Sequence, residues 1–123
     1  MSMYPPIFET ASANAEVTSL IGTSPVRLWP FAQAPENSTL PYVVWQTIGG
    51  RPENYINNAP DIDQYSLQID IYGTGASSVR AVAEKLRDAI QGVANIVSWR
   101  GESIDSETKN YRFTFDVDWF VKR

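Results

Sequence analysis

Hydrophobic and polar positions change period twice along this chain, and the changes mark its elements. From Asp63 to Tyr72 they alternate: Tyr65, Leu67, Ile69 and Ile71 point one way, and Gln64, Ser66, Gln68 and Asp70 the other. A period of two is that of a half-buried strand. After Gly73-Thr-Gly-Ala-Ser77 the period becomes helical over 78–91. Val79, Val82, Ala83, Leu86, Ala89 and Ile90 form one stripe, with Arg80, Glu84, Lys85, Arg87, Asp88 and Gln91 outside it. Thr74 or Ser77 is expected to cap this helix and Gly92 to end it in a left-handed turn. An apolar strand face and an apolar helix stripe each need a partner, so the helix is expected to lie on the sheet.

The remaining pattern fills in that sheet. Pro5 and Pro6 suit a helix start, and Ile7, Phe8 and Ala11 give a short stripe. Asn14 reads as a fresh N-cap for Ala15 to Ile21, stopped by Gly22, so a broken helix is predicted over 5–21. Val26 to Trp29 is predicted to be a short strand halted by Pro30, and 42–48 a second strand rich in β-branched and aromatic residues. Gly49-Gly50 permits a bulge. Residues 51–62 hold Pro52, Pro60 and three Asn, and read as a long polar loop that carries Arg51 and an apolar pair, Tyr55 and Ile56. Strands are expected over 96–100, extending toward Ile104, and over 111–119, where Tyr111, Phe113, Phe115, Val117, Trp119 and Val121 share a face. The polar turn between them makes an antiparallel hairpin. Helices do not alternate regularly with strands. The fold class is therefore α+β: one mostly antiparallel sheet of four to five strands with helices on one face.

Composition narrows the chemistry. The 123 residues suit one domain over 1–123, and 43% hydrophobic with 20% charged residues is ordinary for a globular chain. A net charge of −4 argues against nonspecific nucleic-acid binding. There is no Cys and no His, which removes thiolate chemistry, the commonest general base and the commonest zinc ligand. No apolar run approaches a membrane span and the start lacks a signal-peptide pattern, so a cytoplasmic site of synthesis is expected.

The candidates for chemistry are few. Asp70, Asp116 and Asp118 project from the polar faces of two strands that could be neighbours, and three close carboxylates can bind a divalent cation or perturb one another. A solvated or subunit-facing sheet surface accounts for them without a metal. Asp61 and Asp63 lack the rest of a calcium loop, and Gly73 to Ser77 lacks the endings of a phosphate-binding loop. Lys85, Lys109 and Lys122 stand in no serine–lysine motif. No cofactor is indicated. The 4 Trp and 6 Tyr are more than such a core can hold, which leaves Tyr42, Tyr55, Tyr72 and Phe120 as candidates for exposure at an interface.

Taken together, the N-terminal helix, Val26-Arg-Leu-Trp-Pro-Phe31, Leu40-Pro-Tyr-Val-Val-Trp-Gln46, Asp63 to Tyr72, Val79 to Ile90 and Tyr111 to Trp119 resemble the tail completion, or tail terminator, proteins of tailed phages and prophages. The resemblance spans nearly the whole chain and rests on pattern and order. It implies a structural, non-enzymatic subunit that forms a ring, a hexamer, on the tail tube. Such a ring ends tube growth and offers the head-joining surface. The implied partners are further copies of the chain, the tail tube protein and head–tail connector proteins, with no membrane and no specific nucleic acid. The implied location is the host cytoplasm during assembly and then the head-proximal end of the virion tail. A ring needs two unlike surfaces. The candidates are the Asp70, Asp116 and Asp118 face, whose acidity would repel passing DNA if it lined the lumen, the helix face with Arg80 and Arg87, and the loop with Arg51, Tyr55 and Ile56. The alternatives are a monomeric ligand-binding or regulatory domain, and a metal-dependent enzyme built on the three carboxylates.

Overall fold

The structure, a computed structural model, describes residues 4–54 and 59–123. Its elements in order are α1 (Ile7–Ser12), α2 (Ala15–Ile21), β1 (Leu28–Pro30), β2 (Tyr42–Pro52), β3 (Ile62–Gly73), α3 (Ala76–Ile90), β4 (Asn95–Ile104) and β5 (Tyr111–Lys122). The strands form one sheet in the order β1-β2-β3-β5-β4. Every pairing is antiparallel except β1 with β2, which is parallel. The α+β class and the mostly antiparallel sheet expected from the pattern are both present.

The core lies where the two periods meet. Leu67, Ile69 and Ile71 of β3 and Phe115 and Val117 of β5 are fully buried, and they cluster with Val79, Val82, Leu86 and Ile90 of α3 and with Ile7, Val17 and Ile21 of α1 and α2. The predicted α3 stripe is thus the buried one. The helix break also stands: Asn14 Oδ1 accepts from the N–H groups of Glu16 and Val17 at 3.0 and 3.1 Å, satisfying two donors that the first turn leaves unpaired. Gly22 ends α2 at φ +90, and a Cβ there would meet Arg27 Nη1 at 2.6 Å. That close approach lets Arg27 donate to the carbonyls of Leu20 (3.1 Å) and Pro41 (2.9 Å), tying the end of α2 to the start of β2.

Several expectations are corrected. Neither Thr74 nor Ser77 caps α3; extended Gly75 holds the N-cap position with no side-chain bond. Gly92 does not end α3 in a left-handed turn, because the C-cap is Gln91 in right-handed geometry and the carbonyl of Ile90 takes the N–H groups of both Val93 and Ala94 at 2.9 Å. The first strand is Leu28–Pro30 and not 26–29. Pro30 fits inside it because an edge strand can leave one N–H position unused. β2 continues to Pro52, with the extra residue of its bulge at Ile48, so Arg51 is a strand residue opposite Gln64 and not part of a loop. The polar loop is shorter than 51–62 for that reason. Tyr55 and Ile56 lie outside the described residues.

Candidate functional site

The side of the sheet turned away from the core carries the sequence candidates, and the strand register brings them together. Asp70 on β3 is opposite Thr114 on β5, Gln68 is opposite Asp116, and Ser66 is opposite Asp118. Three carboxylates so placed would repel one another unless each found a donor. Each does. Asp70 Oδ1 accepts from Thr114 Oγ1 at 2.6 Å and Arg112 Nε at 3.0 Å, while its Oδ2 accepts from Gln68 Nε2 at 3.1 Å. Asp116 Oδ2 accepts from Arg100 Nε at 2.8 Å. Asp118 Oδ1 accepts from Ser66 Oγ at 3.0 Å, which in turn accepts from Gln64 Nε2 at 3.1 Å.

This network is built from strands alone, yet Asp70 is 5% exposed and Asp116 8%. The long stems of neighbouring Arg and Gln side chains can shield a carboxylate in this way. Asp116 Oδ1 is buried with no hydrogen-bond partner. The Asp70 contact holds the Arg112 guanidinium above its usual pKa. The face is therefore partly exposed but not simply acidic, since guanidinium groups offset two of its three carboxylates. Among the described residues, no group of three or more Asp, Glu, His or Cys side chains is arranged to hold a metal ion. The carboxylates are spent on arginines, amides and hydroxyls.

Aromatic residues close one end of this face. Tyr42 stacks on Tyr72 at 5.1 Å between ring centroids, Trp29 meets Tyr42 edge-on at 6.0 Å, and the Arg112 guanidinium lies 5.9 Å from the Tyr72 ring. Burial, followed by the charge of Asp105 for Tyr42 and of Asp70 for Tyr72, raises both phenols above their usual pKa. Tyr42 and Tyr72 are half-buried against each other, whereas Phe120 is exposed as expected.

The helix-face candidates are also engaged. Arg80 forms a two-pronged pair with Glu102 of β4, through Nε to Oε1 and through Nη2 to Oε2 at 2.9 Å. Arg87 contacts the adjacent Asp88. Arg51 is 3.6 Å from Glu53 and largely exposed. Sequence reasoning missed the exposed apolar residues at both sheet edges: Phe8 and Phe31 beside β1, and Val97, Trp99 and Ile104 on β4. The apolar pattern groups Phe8 with Ile7 and Ala11, but only Ile7 and Ala11 are buried in α1. The available signal was spacing: Ile7 and Ala11 are four apart and stack on one side, while Phe8 is rotated off that line.

Comparison with known proteins places this arrangement. A family model described as "Tail completion protein gp17" matches residues 5–122. No match was found among curated protein sequences. Two solved structures are similar over most of the chain. One is a chain of the "Virion of native gene transfer agent (GTA) particle", at 14% identity and TM-score 0.68, covering 95% of this chain and 92% of that one. The other is the bacteriophage SPP1 gp17 protein, at 9% identity and TM-score 0.58, covering 95% of this chain and 86% of that one. At these identities the structural likeness speaks for the fold.

Proposed function

The chain belongs to the tail completion protein gp17 family, and from that premise we propose that it assembles into a ring, a hexamer, that caps the tail tube. The ring ends tube elongation and presents the surface to which the head docks. Residues 1–123 act as one structural domain in this role. Its partners are further copies of itself, the tail tube protein and the head–tail connector proteins. It assembles in the host bacterial cytoplasm and stays at the head-proximal end of the virion tail, where DNA passes without sequence-specific contact. The role is structural and not catalytic.

The observation that carries this reading is the family match over residues 5–122, nearly the full chain. The surface chemistry supports it. A sheet side whose carboxylates are largely bonded within the subunit loses less on being covered by another protein surface than one that presents bare carboxylates. In this reading Asp70, Asp116 and Asp118 prepare the contact face, Arg51 supplies an exposed guanidinium group at its margin, and Arg87 supplies one on the helix-bearing side.

The test is polymerisation of the cognate tail tube protein with increasing amounts of this chain, with tube lengths measured by electron microscopy and the free chain's mass by light scattering. Short capped tubes, each with a ring at one end, are expected. Tubes of unchanged length and no ring at either end overturn the proposal.

A further inference from the structure

Two apolar patches sit on the helix-bearing side of the sheet, at opposite edges. At the β1–β2 edge, a groove of about 540 Å³ is lined by Tyr4, Phe8, Phe31 and Trp45, with Glu9 on its wall. Phe31 is 64% exposed and Phe8 44%. At the other edge, β4 presents Trp99, 50% exposed, with Val97 and Ile104 exposed along the same strand. Trp99 leans on Phe113 and Phe115, with centroids 5.9 and 5.1 Å away, and a shallow hollow beside it is bordered by Arg80 and Arg87. A row of large apolar side chains on a blunt sheet edge is costly in water unless something covers it.

The register says what can cover it. Trp45 pairs with Ile69, Ile69 with Phe115, and Phe115 with Trp99. The groove and the Trp99 edge therefore lie in one cross-strand row, at one height along the strands. With strands about 4.8 Å apart, the two edges of the five-stranded sheet are separated by about 19 Å, so one copy cannot join its own patches. A second copy placed beside the first, without sliding along the strands, brings the two together. Unlike patches at equal height make a head-to-tail contact without a climb along the strands, which a flat ring requires in addition to a fixed turn from copy to copy. The groove carries one acidic group, Glu9, and the hollow beside Trp99 carries Arg80 and Arg87 with Glu84; Arg87, paired with its neighbour Asp88, keeps a side chain 41% exposed and within the rim that would face Glu9.

We propose that the Trp99 edge of one copy seats in the Phe8–Phe31–Trp45 groove of the next, and that this contact is the repeating junction of the ring. The proposal rests on the ring reading above and names the surfaces that make it.

The chain has no cysteine, so introduced thiols are the only ones present. The double variant Phe31→Cys with Trp99→Cys is oxidised gently and run on a non-reducing gel, with light scattering on the same sample. A ladder of covalent oligomers rising to the ring's size is expected, and neither single variant should cross-link. The pair Phe31→Cys with Val97→Cys repeats the test without removing the indole. Dimers from the Trp99→Cys single variant would show a like-to-like contact and overturn the proposal. Rings that form without either cross-link overturn this junction and leave the ring reading standing. An unaltered chain that stays monomeric at every concentration, alone and with the tube protein, overturns both.

Discussion

On β3, Leu67, Ile69 and Ile71 alternate with Gln68 and Asp70 along one backbone, and the buried members of the two sets are shielded from water by different means. The first set is covered by another layer. Val79, Val82, Leu86 and Ile90 of α3 press on it, and shielding comes from non-directional apolar contact. The second set has no helical cover. Asp70 is shielded by the groups that bond to it, Thr114, Arg112 and Gln68, so its burial and its hydrogen bonds are one event. The contrast teaches that a carboxylate can be buried on the uncovered side of a sheet, provided it arrives with its partners. It also predicts that damage on the two sides differs in size and kind.

The largest effect belongs to the layered side. Phe115→Ala removes a ring with no solvent exposure and should cost about 3–5 kcal/mol in urea melts, through lost transfer energy and a residual cavity. Leu86→Ala, across the same layer, should cost about 2–5 kcal/mol. Both values falling below 1 kcal/mol would mean that the helices do not carry the burial assigned to them.

A smaller loss is expected on the networked side. Asp70→Ala leaves Arg112 and the Thr114 hydroxyl without their acceptor and should cost about 1–3 kcal/mol. Arg112 is about a third exposed and can rehydrate, which keeps the figure below that of a sealed pair. The sharper measurement is a double-mutant cycle of Asp70→Ala with Thr114→Val, because groups in one network do not add. Additive losses would break the comparison, since the two residues would then be independent.

Acid probes the rim of both sides. Hydrogen bonds hold three carboxylates below their usual range: from Arg123 for Asp63, from Arg80 for Glu102, and from the backbone N–H groups of Thr108 and Glu107 for Asp105. A depressed folded pKa contributes stability that is present above the unfolded value, about 3.9 for Asp and 4.3 for Glu, and that is lost as pH falls through the folded value. Melting temperature should therefore hold from pH 7 to about pH 5 and fall below it. Asp105→Ala should soften that fall relative to the parent. An equally steep acid limb in Asp105→Ala would remove the turn from the account.

The smallest effect marks the outer surface. Arg87→Ala takes away a contact to its own neighbour Asp88 and should change stability by less than about 0.5 kcal/mol. A loss comparable to Leu86→Ala would mean that the phase of α3 is misread.

Local pattern fixed the periods of this chain and therefore its elements. The alternation of β3 and β5, the stripe of α3 and the Asn14 cap could be read directly, because each depends on residues within a turn or two of one another. Their buried sides followed for the same reason. Tertiary structure decided what depends on distant pairing. It set β5 beside β3, which brought three aspartates onto one sheet side, two of them bound by arginines, and it carried β2 on to Pro52, which took Arg51 out of the loop. It paired Arg80 with Glu102, 22 residues away. It also placed Trp45 on β2 and Trp99 on the edge strand β4 in one cross-strand row, although 54 positions of sequence separate them. Period says which way a side chain points, but strand order and register say what it meets, and those are settled by the packing of the whole sheet.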